Sequence, residues 1–339
     1  MKNPQATKLA NEYAAKYPDK PTGFIARLMS KNHPKIFSFK NAESAIRYRR
    51  GAIGDKHRAQ VPVKAVKAFS NVTPASKFNP LNPLELPETQ AVDLVPFAME
   101  GCERVLVLPD LHIPYHNIES LTIALQTGQK RKADSVLING DLLDFHMISR
   151  FEHDPDARTP KQERKSAKDF LIRLRGLFPK ARIIFKEGNH DARLRSYLVD
   201  RAPLVYDEDI MGMVAFLGLD NVGVEYVIDK RIVMVGDLPV LHGHELPRGI
   251  SAPVNPARGA YMRAKVSCLV SHSHRTSEHT ETKMNRKIVT CWSTGGLCHL
   301  QPQYDPYNGW NAGFAFIEVA NGGNYNVSNY RIYNGKLLN

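Results

Sequence analysis

The chain has 339 residues, 42% of them apolar, which is enough to bury a sizeable core and speaks against wholesale disorder. Its longest apolar run, residues 211–219, is about half of the ~18 residues that a membrane span needs, and residues 1–15 lack the apolar stretch of a secretory signal. The formal net charge is +12, and residues 1–80 carry all of it, with 16 Lys/Arg against four acids; the rest of the chain holds 30 bases and 30 acids. That asymmetry predicts a polyanionic partner, most simply nucleic acid bound through residues 1–80. The four cysteines (Cys102, Cys268, Cys291, Cys298) form no CxxC pair. They read as reduced, buried thiols of a cytoplasmic protein rather than a disulfide framework.

In chain order, residues 4–17 have helical spacing, with Leu9, Tyr13 and Tyr17 recurring every four residues. A second helix is predicted from a cap at Thr22 through Phe24, Ile25, Leu28 and Met29 to the stop at His33-Pro34. A third, residues 41–50, is capped at Asn41, stopped by Gly51 and carries Arg47, Arg49 and Arg50 in its last turn. Residues 1–60 are thus expected to be a small basic helical region. It fits either a helix-turn-helix-like unit, with those three arginines as candidate nucleic-acid contacts, or a plain basic bundle. Six prolines between positions 62 and 96 make residues 61–100 an extended linker.

From residue 104 short β-rich runs (104–110, 134–140, 181–189) alternate with helical stretches at 117–133 and 161–176. This predicts β-α-β units and a buried sheet. Later strands, at 231–236, 239–242, 267–271, 287–293, 313–319 and 325–333, are closely spaced and suggest a second sheet built partly from hairpins. Residues 101–339 are expected to form this domain.

Five polar clusters follow predicted strand ends: DLH (110–112), GDLLD (140–144), GNHD (188–191), HGHE (242–245) and SHSH (271–274). Loops after strand ends are where α/β folds gather ligands. Aspartate, asparagine and histidine without cysteine suit Mn²⁺, Fe, Zn²⁺ or Ni²⁺ better than a soft thiolate site. Singly these are common patterns; their order after successive strands sets them apart.

In that order the clusters resemble the DxH…GDxxD…GNH[DE]…H…GHxH pattern of the calcineurin-like metallophosphoesterase superfamily, across residues 104–275. The resemblance implies an α/β fold, a four-layer αββα sandwich of two mixed sheets, preceded here by the basic all-α unit. It also implies two divalent metal ions, Mn²⁺ foremost. Asp110, His112 and His274 would hold one; Asn189, His242 and His272 the other; Asp141 would bridge them. Ser271 departs from the family's usual glycine. The implied reaction is phosphoester hydrolysis by a metal-bridging hydroxide, the two cations sitting roughly 3.5–4 Å apart and clamping the attacking and leaving oxygens. His190 is the candidate proton donor, oriented by Asp144. Asp191 fits a surface position or a helix N-terminus.

Arg193 (with Arg195), Tyr115 and His146 are candidate substrate contacts, and solvated or structural roles fit them equally. His244 reads as supporting, and residues 294–314 as a cleft-shaping loop near Trp310 or a crossover. GDLLDFH lacks the arginine of phosphoprotein phosphatases, and NGDLLDF, GNHDARL and the WSTGGLCHLQP segment resemble phage-type members. Three functions follow: an enzyme on nucleic acid, an enzyme on small phosphoesters, or a DNA-binding protein using the fold without catalysis.

Overall fold

Three short helices, α1 (Pro4–Lys16), α2 (Thr22–Asn32) and α3 (Phe39–Arg49), begin the chain. The computed structural model describes residues 4–18, 20–49, 94–150, 158–228, 230–247, 254–302 and 305–338. Two units are distinguished, Met1–Val92 and Asp93–Asn339.

In the first unit Ala10 of α1, Ile25, Ala26 and Met29 of α2, Phe37, and Ala42 and Ile46 of α3 form a small buried core. Their spacing of three and four puts each set on one helix face. Two caps differ from expectation. Thr22 is the first helical residue of α2, with Pro21 at the N-cap and no side-chain cap bond. α3 starts two residues early because the Ser38 hydroxyl, not Asn41, caps it, accepting from the Asn41 N–H at 3.3 Å. The α2–α3 connection, residues 33–38, has no glycine and is longer than the ~3–4-residue turn of a helix-turn-helix. Arg49 is used inside the bundle: it donates to Asn11 Oδ1 at 2.6 Å, Ala45 O at 2.8 Å and Thr7 O at 3.1 Å, tying α3 to α1. Arg47 pairs with Glu43 at 3.1 Å. Arg50 and the proline-rich residues up to 93 lie outside the described residues.

The second unit runs β1 (Phe97–Ala98), β2 (Arg104–Leu108), α4 (Ile118–Lys130), β3 (Ser135–Asn139), α5 (Pro160–Leu177), β4 (Arg182–Lys186), α6 (Ala192–Arg201), the short α7 (Glu208–Met211) and α8 (Met213–Leu217), and β5 (Val224–Val227). It continues with β6 (Val233–Val235), β7 (Leu238–Val240), α9 (Pro256–Ala264), β8 (Cys268–Val270), β9 (Ser277–Thr282), β10 (Ile288–Ser293), β11 (Ala312–Val319), β12 (Tyr325–Tyr333) and β13 (Lys336–Leu338). Residues 97 and 98, expected in the linker, are instead an edge strand pairing with β6.

The strands form two mixed sheets, ordered β13-β12-β11-β2-β3-β4-β5 and β1-β6-β7-β8-β10-β9. Strand alternation sends Val105 and Val107 of β2 toward the smaller sheet, into a core with Leu137, Ile184, Val235, Val240 and Leu269. Leu106 and Leu108 point the other way, against Leu121 and Ala124 of α4 and Leu171 and Leu174 of α5. Burial on both faces explains why β2, β3 and β4 read as unbroken apolar runs. α9 covers the outer face of the smaller sheet through Ala257 and Ala260, against Val270, Val289 and Cys291. The layers are therefore helix, sheet, sheet, helix, the sandwich expected. No helix among the described residues is long and apolar enough to cross a membrane.

Gly128 marks where α4 lies closest to the sheet: a Cβ there would sit 2.6 Å from Leu106 Cδ2. Gly128→Ala is expected to destabilise by about 1–3 kcal/mol through overpacking, despite the ~1 kcal/mol that alanine gains in helix propensity. Urea unfolding checks this; an unchanged or raised midpoint would mean that α4 does not bear on β2 so closely.

Candidate metal centre and cleft

The ends of β2, β3, β4, β7 and β8 deliver their polar clusters to one place. Asp110, His112, Asp141, His272 and His274 all have positive φ, between 47° and 67°, a region that side chains other than glycine enter at a cost of about 1–3 kcal/mol each. The left-handed turn swings each side chain off its strand direction and into the common centre. Residues 110–113 and 140–144 stay paired beyond the strands, His112 N donating to Asp141 O at 2.9 Å and Ile113 N to Leu142 O at 2.8 Å.

Asp141 stands in the middle. Its Oδ2 is 3.6 Å from His112 Nε2 and 3.3 Å from His242 Nε2. To one side, Asp110 Oδ1 lies 3.2 Å from His274 Nε2. To the other, His242 Nε2 lies 3.2 Å from Asn189 Oδ1, and Asp141, His242 and His272 have ligand atoms within 4.8 Å of one another. Asp110, His112 and Asp141 make a second such group. All seven expected ligand residues are thus brought together, and Asp141 is shared by both groups.

The set fits metal ions on an observation independent of the motif. The buried His112 Nε2 has no hydrogen-bond partner among the described residues, although its other nitrogen is fixed by Asp144 Oδ1 at 3.0 Å. A buried imidazole nitrogen aimed at carboxylates and left without a hydrogen bond is what a cation would satisfy.

The charges point the same way. Burial works against every ion here, yet His274 and then His242 hold Asp110 below its ordinary value. His242, His190 and His112 hold Asp141 well below its own. In return, and again against burial, Asp141 followed by Asp110 pushes His242 up to about 10, and Asp110 carries His274 well above an ordinary histidine. Carboxylates that raise the proton affinity of two buried imidazoles create a field that favours positive charge, which a cation would supply.

The supporting residues are largely invisible in the motifs. Asp191 is buried rather than at the surface, and as N-cap of α6 it makes no side-chain cap bond. Its carboxylate accepts from Leu143 N at 3.1 Å, Gly188 N at 2.9 Å and Leu142 N at 3.4 Å, tying two site loops together. Glu245 accepts from His242 N at 3.1 Å and Gly243 N at 2.6 Å and pairs with the fully buried Lys186 at 2.6 Å. Burial opposes its charge, but Lys186 brings the carboxyl down to about 2. Ser271, where the family usually has glycine, accepts from Asn139 Nδ2 at 2.8 Å and Thr294 Oγ1 at 3.0 Å. Asn139 in turn fixes His242 Nδ1 through its carbonyl at 2.8 Å. Cys298, expected only as a reduced buried thiol, has its Sγ 3.7 Å from His274 Nδ1, and Trp310 packs edge-on against the same ring at 4.2 Å.

The His190–Asp144 relation is less direct than expected. His190 Nδ1 bonds the Asp144 carbonyl at 2.9 Å and lies 3.4 Å from its carboxylate, which makes its shorter bond to His112. Arg193 donates to the same carbonyl at 2.8 Å and reaches His190 Nε2 at 3.1 Å. Because a guanidinium only donates, Nε2 accepts and Nδ1 carries the ring proton.

A cleft of about 1340 Å³ opens from Asn189 and His272. His244, Arg193, Arg150, Arg201, Lys230, Arg263 and Arg275 line it, with Asp200 as its one acid among the described lining residues. Burial drives the His244 imidazole down to about 4, so a neutral ring faces the cleft. Tyr115 and His146 are not among the lining residues, whereas Ile148, Ser149 and Arg150 are. Arg195 turns away toward Glu208, 3.7 Å off. Arg201, Arg263 and Lys230 were missed because each lies well away in sequence from any ligand motif; the recurrence of Arg193, Tyr197 and Arg201 every four residues was the available signal.

Glu163 of α5, fully buried, accepts from Phe145 N at 2.7 Å. Burial pushes it up to about 8; the Phe145 N–H opposes, and the Asp144 charge adds. The fold therefore favours protonated Glu163, so its contribution is complete below the unfolded value of 4.5 and is lost as pH rises through about 8. Glu163→Gln keeps an acceptor for Phe145 N without a charge. The variant is expected to gain on wild type in urea midpoint between about pH 5 and about pH 8. Parallel pH profiles would show that Glu163 ionises normally in the fold.

A family model described as calcineurin-like phosphoesterase matches residues 103–289. The gene 54 protein of Mycobacterium phage L5 is 26% identical over 231 residues, 64% of this chain and 89% of that protein. Its counterpart in Mycobacterium phage D29 is 27% identical over the same shares. Similar solved structures include Yfce, a phosphoesterase from E. coli, with TM-score 0.32 and 14% identity over 66% of this chain and 98% of that one. Pseudomonas putida nuclease MPE has TM-score 0.29 and 12% identity over 66% and 86%. With its matched segment spanning more than half of the sequence and containing all five ligand-bearing clusters, the chain belongs to the calcineurin-like phosphoesterase family.

Proposed function

We propose that this chain is a binuclear-metal phosphoesterase that hydrolyses phosphodiester bonds of nucleic acid. The observation that carries the reading is the pair of ligand groups meeting at Asp141. Asp110, His112 and His274 would hold one cation and Asn189, His242 and His272 the other, with Asp141 shared between the two sets. Bound there, two divalent cations, Mn²⁺ foremost for this oxygen and imidazole donor set, would make a hydroxide nucleophile available near neutral pH and would offset charge on the phosphoryl group.

The chain's own groups do the rest. Asp144 orients His112 from behind and fixes His190 through its carbonyl. Once Arg193 leaves it, His190 Nε2 takes up a proton from solvent, and the imidazolium so formed passes that proton to the departing alkoxide. Arg193, now on that nitrogen, turns to the substrate phosphate on binding and leaves Nε2 free for the transfer.

Nucleic acid is favoured by the cleft. Its volume of about 1340 Å³ exceeds the ~300–1,000 Å³ usual for small ligands. Residues 81–339 carry equal numbers of acids and bases, so the cationic lining is a matter of placement, not composition. The +12 of residues 1–80 adds long-range attraction for a polyanion. The kinship with phage gene 54 proteins fits a phage- or prophage-encoded chain.

With Mn²⁺ the protein is expected to hydrolyse bis-p-nitrophenyl phosphate and DNA faster than p-nitrophenyl phosphate, and Asp141→Asn to abolish all of it. Preference for the monoester, with DNA untouched, would favour a small-molecule phosphatase. DNA binding with no hydrolysis under any divalent metal would favour a non-catalytic role. His190→Asn is expected to lower kcat about 10²–10⁴-fold with two metals per chain retained; unchanged kcat would remove His190 from the proton-transfer role.

A further inference from the structure

We infer that the cleft-facing stripe of α6 is a track for single-stranded nucleic acid, on which Tyr197 stacks a base between phosphate contacts at Arg193 and Arg201. The inference rests on the phosphoesterase reading of the adjoining centre. The three residues are spaced by four, which puts them on one helix face, and all line the cleft together with Asn189 and His272. At ~1.5 Å rise per residue the stripe is about 12 Å long, so it extends away from the centre and does not circle it.

Tyr197 is 43% exposed, an aromatic face presented inside a channel rather than packed into a core. An aromatic flanked by guanidiniums suits a strand of alternating phosphates and unstacked bases. Gly259 of α9, which has no side chain, and Lys230, which adds charge, also line the cleft. Duplex DNA keeps its bases stacked inside, so it offers Tyr197 no base face and gains only the phosphate contacts. A small phosphoester reaches the centre without touching Arg201.

The test uses the full-length chain carrying Asp141→Asn, so that oligonucleotides stay intact, and fluorescence anisotropy with three probes: a labelled oligothymidylate, the same backbone without bases, and a duplex of equal length. Tyr197→Ala is expected to weaken oligothymidylate binding roughly 5- to 100-fold, to leave the abasic and duplex probes unchanged, and to be rescued by Tyr197→Phe. Arg201→Ala is expected to weaken single-stranded probes with and without bases alike and to reduce the salt slope by about one. Unaltered oligothymidylate affinity in Tyr197→Ala, or equal losses on all three probes, overturns the track; a thermal melt separates the second outcome from misfolding, in which case Tyr197→Leu, which keeps bulk without a stacking ring, decides. Hydrolysis of bis-p-nitrophenyl phosphate by the unmutated chain is measured separately. Its absence would remove the catalytic reading, while the binding series would still decide the track.

Discussion

Asp110 and Asp141 bring two carboxylates into one buried centre, and much of the surrounding structure answers the cost of doing so. Burial penalises both charges, and each also repels the other. Five histidines, His112, His190, His242, His272 and His274, crowd around them; against burial, His274 and His242 lower Asp110, while His242, His190 and His112 lower Asp141. Such an arrangement is poor as a stability device, because buried ion pairs seldom repay their desolvation. It makes sense where positive charge has to be concentrated at one point.

Holding those groups at the required spacing strains the chain. Five ligand positions lie in the left-handed region, and two glycines allow contacts that no other residue permits. A Cβ on Gly188 would fall 2.2 Å from Asp141 Oδ1, and one on Gly140 2.3 Å from His242 Nδ1. What keeps the strained loops in place is a second layer of buried polar groups. Asp191 joins the loops after β3 and β4, the Lys186–Glu245 pair anchors the loop after β7, and Asn139 with Ser271 connects the two sheets. Each is a fully enclosed hydrogen-bonding group whose alternative is an unsatisfied one, so the loops have few other ways to close.

The difference between what sequence showed and what it hid follows from the range of the interactions. Ligand motifs were legible because each is a strand end followed at once by its side chains, a local arrangement repeated five times. The buried strands of the larger sheet were legible for the same reason, whereas β9, a polar edge strand, and β5, four residues long, gave no comparable signal. Lys186 resembled any other lysine closing a strand; its partner is 59 residues away. Glu163 stands where any first-turn acid of α5 would, but its side chain is directed inward to Phe145. Tyr115 and His146 were singled out for closeness in sequence to ligands, but a helix carries the next positions around the cleft at intervals of four. Arg193 belongs to both descriptions, which is why it alone of the tentative substrate contacts reached the cleft.

Charge was read correctly in amount and incompletely in place. Because residues 81–339 are balanced, the case for a polyanion rested entirely on the basic segment ahead of them. The folded unit sorts its equal numbers of acids and bases: acids go to the buried centre and to surface pairs such as Glu225 with Arg182 and Glu318 with Arg131, while Arg150, Arg201, Lys230 and Arg263 line the cleft. Low-dielectric walls focus such a field. At the same time Arg49, one of the arginines expected to face nucleic acid, bonds α1 and so ties α3 to it. On the nucleic-acid reading proposed above, the attraction for a polyanion would have two sources with different reach. A diffuse one would come from the N-terminal residues and be screened within about 10 Å at ordinary salt; a short-range one would lie beside the candidate metal centre, where it would select which phosphate is presented to Asp141 and His190.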